Sequence, residues 1–239
     1  MYNKFMLNHV TIEICIGHLD DAIKAASYPI DRIELNTALE LGGLTPSLHT
    51  LSYLKQHIST KICCMVRPRG GDFCYTETEY EIMLKDAEEF LKAGADGIVF
   101  GFLKQDKTID LKRTQKMSKL IHSYGKEAVF HKAFDEIEDL DEACQQLIRA
   151  GIDRILTSGK AVYPDILKGC KTIHRLHEKY GEFIQFLPGG GVRIENIRDV
   201  ISVSGSGQVH MTSKKEYPGG YLGLDELQLQ AMLQEIEKL

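Results

Sequence analysis

The 239-residue chain has no apolar run approaching the ~18 residues of a membrane span, so neither a transmembrane helix nor a membrane partner is expected. It has no basic excess: 29 Lys and Arg stand against 34 Asp and Glu, a net charge of -5. Binders of nucleic acid or anionic membranes are ordinarily basic, so no nucleic-acid partner is expected either. The six cysteines (Cys15, Cys63, Cys64, Cys74, Cys144 and Cys170) form no C-x-x-C pair and no regular spacing. That argues against a disulfide scaffold and for free thiols in a reducing cytoplasm. The opening MYNKFMLNHVTIEI lacks both a continuous apolar stretch and a small-residue cleavage site, so no secretory leader is expected there. Linkers and low-complexity tracts are missing too, which leaves one domain over residues 1–239. With 43% hydrophobic and 26% charged residues the composition is globular. A chain of this length buries roughly three quarters of its unfolded surface.

What is present is a repeat. Residues 30–36 read IDRIELN, 95–101 ADGIVFG and 152–158 IDRILTS, with a weaker fourth copy, SGQVHMT, at 206–212. The first three copies carry Asp31, Asp96 and Asp153, 65 and 57 residues apart, and Gly207 follows 54 later. A period of about 60 is too long for one strand-helix unit but suits two. Four copies therefore count eight strands. The odd ones are short apolar segments at 11–16 (TIEICI), 62–67 (ICCMVR), 127–131 (EAVFH) and 183–187 (FIQFL). Helical patterns lie between, at 20–27, 47–57, 77–93, 112–124, 140–150, 163–179 and 194–202, with a last helix at 225–239. Strands alternating with helices imply a parallel sheet, and eight units imply a closed (β/α)₈ TIM barrel in the α/β class. In such a barrel the three aspartates mark the structural N-terminal rim, and residues ending the strands are the functional candidates.

Alternation in the first strand sends Ile12 and Ile14 toward the helices and Glu13 and Cys15 inward. In the second it sends Ile33 and Leu35 out and Glu34 and Asn36 in. Superposed copies put Glu34, Val99, Leu156 and His210 at one level, with Asn36, Gly101, Ser158 and Thr212 one layer higher. Interior carboxylates are costly unless paired or liganded, and close carboxylates can be driven apart in pKa to serve as acid and base.

The third strand runs into VRPRGGDF. Arg67 ends it, placed to pair Glu34 next door or to clamp a carboxylate or phosphate, and Arg69 follows Pro68. Asp72 is read as a cap for the following helix. The fifth strand runs into FHKAFDE, with His131 at its end and Asp135 four residues on, both candidates for acid, base or ligand roles. Two glycine loops, ILTSG with Ser158 and Gly159, and LPGGGV with Gly189, Gly190 and Gly191, offer backbone N–H groups for an anion, with Thr212 nearby. His49, His57, His122, His174 and His177 read as surface residues. Of the cysteines only Cys15 falls at the barrel mouth, and Cys63 lies deeper on the inward face.

The motifs IEIC, RIEL-TALE-GGLTPS, VRPRGGDF, GADGIVFG, FHKAFDE, DRILTSG and PGGGV closely resemble those of the CutC copper homeostasis family, over roughly residues 10–215. The resemblance implies a cytoplasmic, self-associating (β/α)₈ barrel that handles copper, holding Cu(I) on two cysteines at the ends of the first two strands. The first is Cys15. The second falls on Asn36, which supplies no thiolate, so a copper site needs Cys15 with another donor, such as His210 or a cysteine of a second subunit. Two functions follow as expectations. One is Cu(I) binding through Cys15 and His210. The other is enzymatic acid/base chemistry on a small phosphorylated or carboxylated metabolite, with Glu13, Glu34, Arg67, His131, Asp135 and His210 as catalytic groups. Arg69, Ser158, Gly159, Gly189–Gly191 and Thr212 would then hold the anion.

Overall fold

In a computed structural model, which describes residues 9–239, the aspartate opening each copy of the repeat is a backbone acceptor at the foot of the preceding strand. Asp31 accepts the Ile12 N–H at 2.8 Å, Asp96 the Ile62 N–H at 2.9 Å and Asp153 the Ala128 N–H at 2.7 Å. Each also pairs a basic side chain: His9, Lys55 and His122 respectively. In the fourth copy the Gly207 carbonyl does the same work, accepting the Thr11 N–H at 2.9 Å. The repeat thus fastens neighbouring strands at one rim. Asp96→Ala leaves the Ile62 N–H and Lys55 without their acceptor. It is expected to lower unfolding free energy by about 1–3 kcal/mol, read from urea denaturation. The expectation of no leader at residues 1–8 lies outside the described residues.

Eight parallel strands follow in order: β1 (Thr11–Ile16), β2 (Arg32–Leu35), β3 (Lys61–Met65), β4 (Gly97–Phe100), β5 (Glu127–Phe130), β6 (Arg154–Thr157), β7 (Gln185–Pro188) and β8 (Gln208–Met211). Between them run α1 (Leu19–Ala25), α2 (Leu48–His57), α3 (Glu77–Lys92), α4 (Leu111–Ser123), α5 (Leu140–Ala150), α6 (Leu167–Tyr180) and α7 (Ile197–Ser204), and α8 (Glu226–Ile236) comes last. The sheet order is β7-β6-β5-β4-β3-β2-β1-β8, the TIM barrel expected. Among the described residues no backbone ladder joins β7 to β8. Side chains span that seam instead, Gln208 Nε2 donating to Gln185 Oε1 at 2.9 Å.

Alternation along the strands divides the core. Ile12, Ile14, Ile33, Leu35, Ile98 and Phe130 pack outward against the helices. The apolar cluster inside the barrel is small: Cys63, Met65, Val99 and Val129. Much of the remaining interior is charged, with Arg32 paired to Glu13 and Arg154 to Glu127. No helix among the described residues is long and apolar enough to cross a membrane.

Several local expectations are corrected. The cap of α3 is Thr76, in a capping box with Glu79, and not Asp72, which binds Arg69 and the Cys74 N–H. Helix α6 starts at Leu167 rather than near Tyr163, because Pro164 disfavours helical geometry in the residue before it. Helix α7 starts at Ile197, after a turn in which the Arg193 N–H donates to Asn196 Oδ1. A hairpin of β9 (Lys214–Glu216) and β10 (Leu222–Leu224) follows β8 unannounced, pinned to α1 where the Leu224 N–H donates to Asp21. His177 is half-buried against Phe186 rather than a surface residue.

Candidate functional site

Register brings the polar interior together. Glu13 on β1 lies beside His210 on β8, and Cys15 beside Glu34 on β2. Glu13, Glu34 and His210 are 1%, 3% and 8% exposed. His210 Nδ1 donates to Glu13 at 2.7 Å, while its Nε2 stands 3.9 Å from Glu34. The other Glu13 oxygen accepts from Arg32 Nε. Asn36 links the upper layer, its amide donating to Glu34 Oε2 at 2.9 Å and to Cys15 Sγ at 3.4 Å.

The charges follow from these contacts. Burial pushes the Glu13 carboxyl up, but Arg32 and the His210 hydrogen bond outweigh it and hold the group far below the carboxylate range. Burial raises Glu34, aided by the negative charge of Glu13 and opposed by His210. Burial would lower His210, yet the two carboxylates raise it, favouring the imidazolium. Loss of solvation together with Glu34 and Glu13 pushes the Cys15 thiol well up, so it holds its proton until something displaces it. Cys15 Sγ, a Glu34 oxygen and a His210 nitrogen all lie within 4.8 Å of one another. Thiol, carboxylate and imidazole in one small space can hold a metal ion or pass a proton.

Beside this cluster, a cavity of about 70 Å³ opens at the mouth, lined by Glu34, Met65, Arg67, Phe73, His131 and Lys132 among others. His131, 3% exposed, accepts the Ala133 N–H on Nδ1 at 3.1 Å. That bond assigns the ring proton to Nε2, which has no partner. Burial and then Arg67 hold its pKa down to about 3, so the ring is neutral. Lys132 was not singled out in the sequence, although it directly follows the strand-ending His131.

Other expected groups are engaged elsewhere. Arg67 does not pair Glu34. It donates to the carbonyls of Leu41, Gly43 and Gly71 at 3.0, 3.2 and 3.0 Å, tying the loops after β2 and β3 together. Arg69 is spent on Glu79 and Asp72 and on nearby carbonyls. Asp135 fills the cradle expected to hold an anion after β6. Its carboxylate accepts from Ser158 N–H and Oγ at 3.0 and 2.9 Å, from the Lys160 N–H at 3.3 Å and from the Thr157 hydroxyl. The Gly159 N–H donates to Thr157 Oγ1 at 2.9 Å. Thus Ser158 already binds an anion of the chain's own, and the Gly159 N–H is taken by Thr157. The Gly189 N–H donates to the Thr157 carbonyl at 3.0 Å, whereas those of Gly190 and Gly191 meet no acceptor among the described residues. Thr212 stands half-buried just past β8.

Known proteins match along the same elements. A profile of the CutC family matches residues 10–215, which contain all eight barrel strands. A CutC protein of Treponema denticola is 42% identical over 209 residues, 87% of this chain and 83% of that protein. The copper homeostasis protein cutC homolog of Homo sapiens is 34% identical, over 89% of this chain and 77% of its own. The crystal structure of CutC from Streptococcus agalactiae superposes with a TM-score of 0.78 at 31% identity, covering 84% of this chain and 97% of that one. Agreement in sequence and in backbone, across strands and mouth loops alike, has one outcome: the chain belongs to the CutC family.

Proposed function

We propose that this chain handles copper in a reducing cytoplasm and holds Cu(I) at the barrel mouth on Cys15 Sγ and His210 Nε2, with Glu34 beside them. The observation that carries the reading is the approach of those three ligand atoms to within 4.8 Å. A thiolate with an imidazole is a soft donor set that suits Cu(I). Glu13 engages Nδ1 of His210 and leaves Nε2 as the ligand atom, the carboxylate–histidine arrangement that orients metal-bound imidazoles. On binding, the Cys15 thiol proton and the His210 Nε2 proton pass to solvent and the metal takes their place. Asn36 orients the thiol and Glu34 without adding a second thiolate. The human relative's description as a copper homeostasis protein supports the reading, and six free cysteines fit a reducing compartment.

Anaerobic competition against a chromophoric Cu(I) chelator tests it. The parent chain is expected to bind one Cu(I) per chain, and Cys15→Ser and His210→Ala each to weaken binding at least roughly tenfold. Native mass spectrometry of the same samples reads bound metal and the self-association implied by the family resemblance. No competition by the reduced parent protein would remove the reading.

A further inference from the structure

Three side chains lining the small cavity at the mouth each carry an unpartnered polar atom. Two are donors, His131 Nε2–H and Arg67 Nε–H, and one is an acceptor, Glu34 Oε1. All three belong to buried residues, 3%, 7% and 3% exposed. Buried polar groups are nearly always satisfied, so three orphans on one cavity mark a place where a ligand supplies the missing bonds. Lys132 adds a cation. It is half-buried, no carboxylate lies within ion-pair distance among the described residues, and its Nζ lies over Gly190. A Cβ at Gly190 would stand 2.7 Å from that nitrogen, and the φ of +97° there is one that side-chain-bearing residues rarely adopt. The glycine is what lets the ammonium reach this edge of the mouth.

These groups specify their complement. Arg67, Lys132 and His131 call for acceptor oxygens on a negatively charged ligand, and a carboxylate meets the two cations. Glu34 Oε1 calls for a donor, which a plain carboxylate or the dianion of a phosphate monoester lacks. A hydroxyl next to the carboxylate serves both remaining atoms, accepting from His131 Nε2–H and donating to Glu34 Oε1. A cavity of 70 Å³ holds about five to seven water-sized groups at ~10–15 Å³ each, enough for the heavy atoms of the smallest such acid. We propose that this cavity is a binding site for a small 2-hydroxycarboxylate, held by Arg67 and Lys132 at its carboxylate and by His131 and Glu34 at its hydroxyl. The site is separate from Cys15, and only Glu34 borders both.

Isothermal titration calorimetry of the full chain with glycolate, acetate and methyl phosphate tests it. Glycolate is expected to bind at least roughly tenfold more tightly than acetate or methyl phosphate. Lys132→Met, at a half-buried position outside the core, is expected to weaken glycolate at least roughly tenfold while leaving Cu(I) affinity unchanged. Cys15→Ser is expected to leave glycolate affinity unchanged, so loss of the copper reading would not touch this one. Absence of heat with every probe at millimolar concentration overturns the proposal. So does acetate or methyl phosphate binding as tightly as glycolate, or glycolate binding that ignores Lys132→Met.

Discussion

The Asn36→Cys variant is expected to bind Cu(I) about a hundredfold more tightly than the parent chain, a gain of about 2.7 kcal/mol. Asn36 follows β2 directly, its backbone N–H held by the Ile16 carbonyl at 2.8 Å, and its side chain already reaches Cys15 Sγ at 3.4 Å. A cysteine keeps the same Cβ on the same inward side and puts a second thiolate where the amide now stands. The space is bounded by Gly43, where a Cβ would fall 2.5 Å from Asn36 Oδ1. The wall is therefore bare backbone, and a side chain shorter than asparagine fits beneath it. Two thiolates suit Cu(I) better than one thiolate with an imidazole and a carboxylate. Asn36→Ser is the control, removing the amide without adding a soft donor, and it is expected to bring no gain. Both are measured by the anaerobic chelator competition under reducing conditions. Unchanged affinity in Asn36→Cys would mean that Cys15 does not coordinate the metal.

The inward set on β1 and β2 was legible because both faces of a barrel strand are covered. In IEIC and IELN the isoleucines and leucine claim the helix side, which leaves Glu13, Cys15, Glu34 and Asn36 no direction but inward. Arg32 was readable by the same rule, since it sits two positions before Glu34 on the same face, yet it lies far from the strand end where function is sought. What alternation cannot report is how loops are filled. Asp135 has the sequence profile of a catalytic acid, but the short 3-10 turn at Lys132–Glu136 swings its carboxylate onto the Ser158–Lys160 loop. Arg67 looks like an anion clamp, but both its terminal nitrogens are taken by carbonyl oxygens of the chain itself, which leaves Nε alone free. The hairpin after β8 has strands of three residues each, too short to show a period, and Gly219 and Gly220 mark only its turn.

Arg32→Met is expected to lower unfolding free energy by about 3–5 kcal/mol, because it strips a buried carboxylate of its cation. The two side chains are 6% and 2% exposed, and Arg32 also reaches Gln208 at 3.3 Å across the foot of the barrel. Methionine fills much of the volume but leaves Glu13 with His210 alone. The pH dependence gives the signature. Burial raises the Glu13 carboxyl, yet Arg32 and His210 depress it below its ordinary 4.5, so its contribution is complete above pH 4.5 and drains as pH falls below that value. His210 runs the other way. Burial lowers it, but Glu34 and Glu13 raise it above 6.5, so its contribution is complete below pH 6.5 and is lost as pH climbs through the raised folded value. Without Arg32, burial pushes Glu13 up, and in acid the variant simply protonates it. The gap between parent and variant therefore widens as pH rises toward neutrality and closes as pH drops below 4.5. Urea denaturation across that range measures it. The double variant with Glu13→Gln is expected to lose less than the sum of the two single losses, the mark of directly coupled groups. A gap under about 1 kcal/mol that ignores pH would put this pair in the class of solvent-screened surface bridges and strip the barrel interior of its charged core.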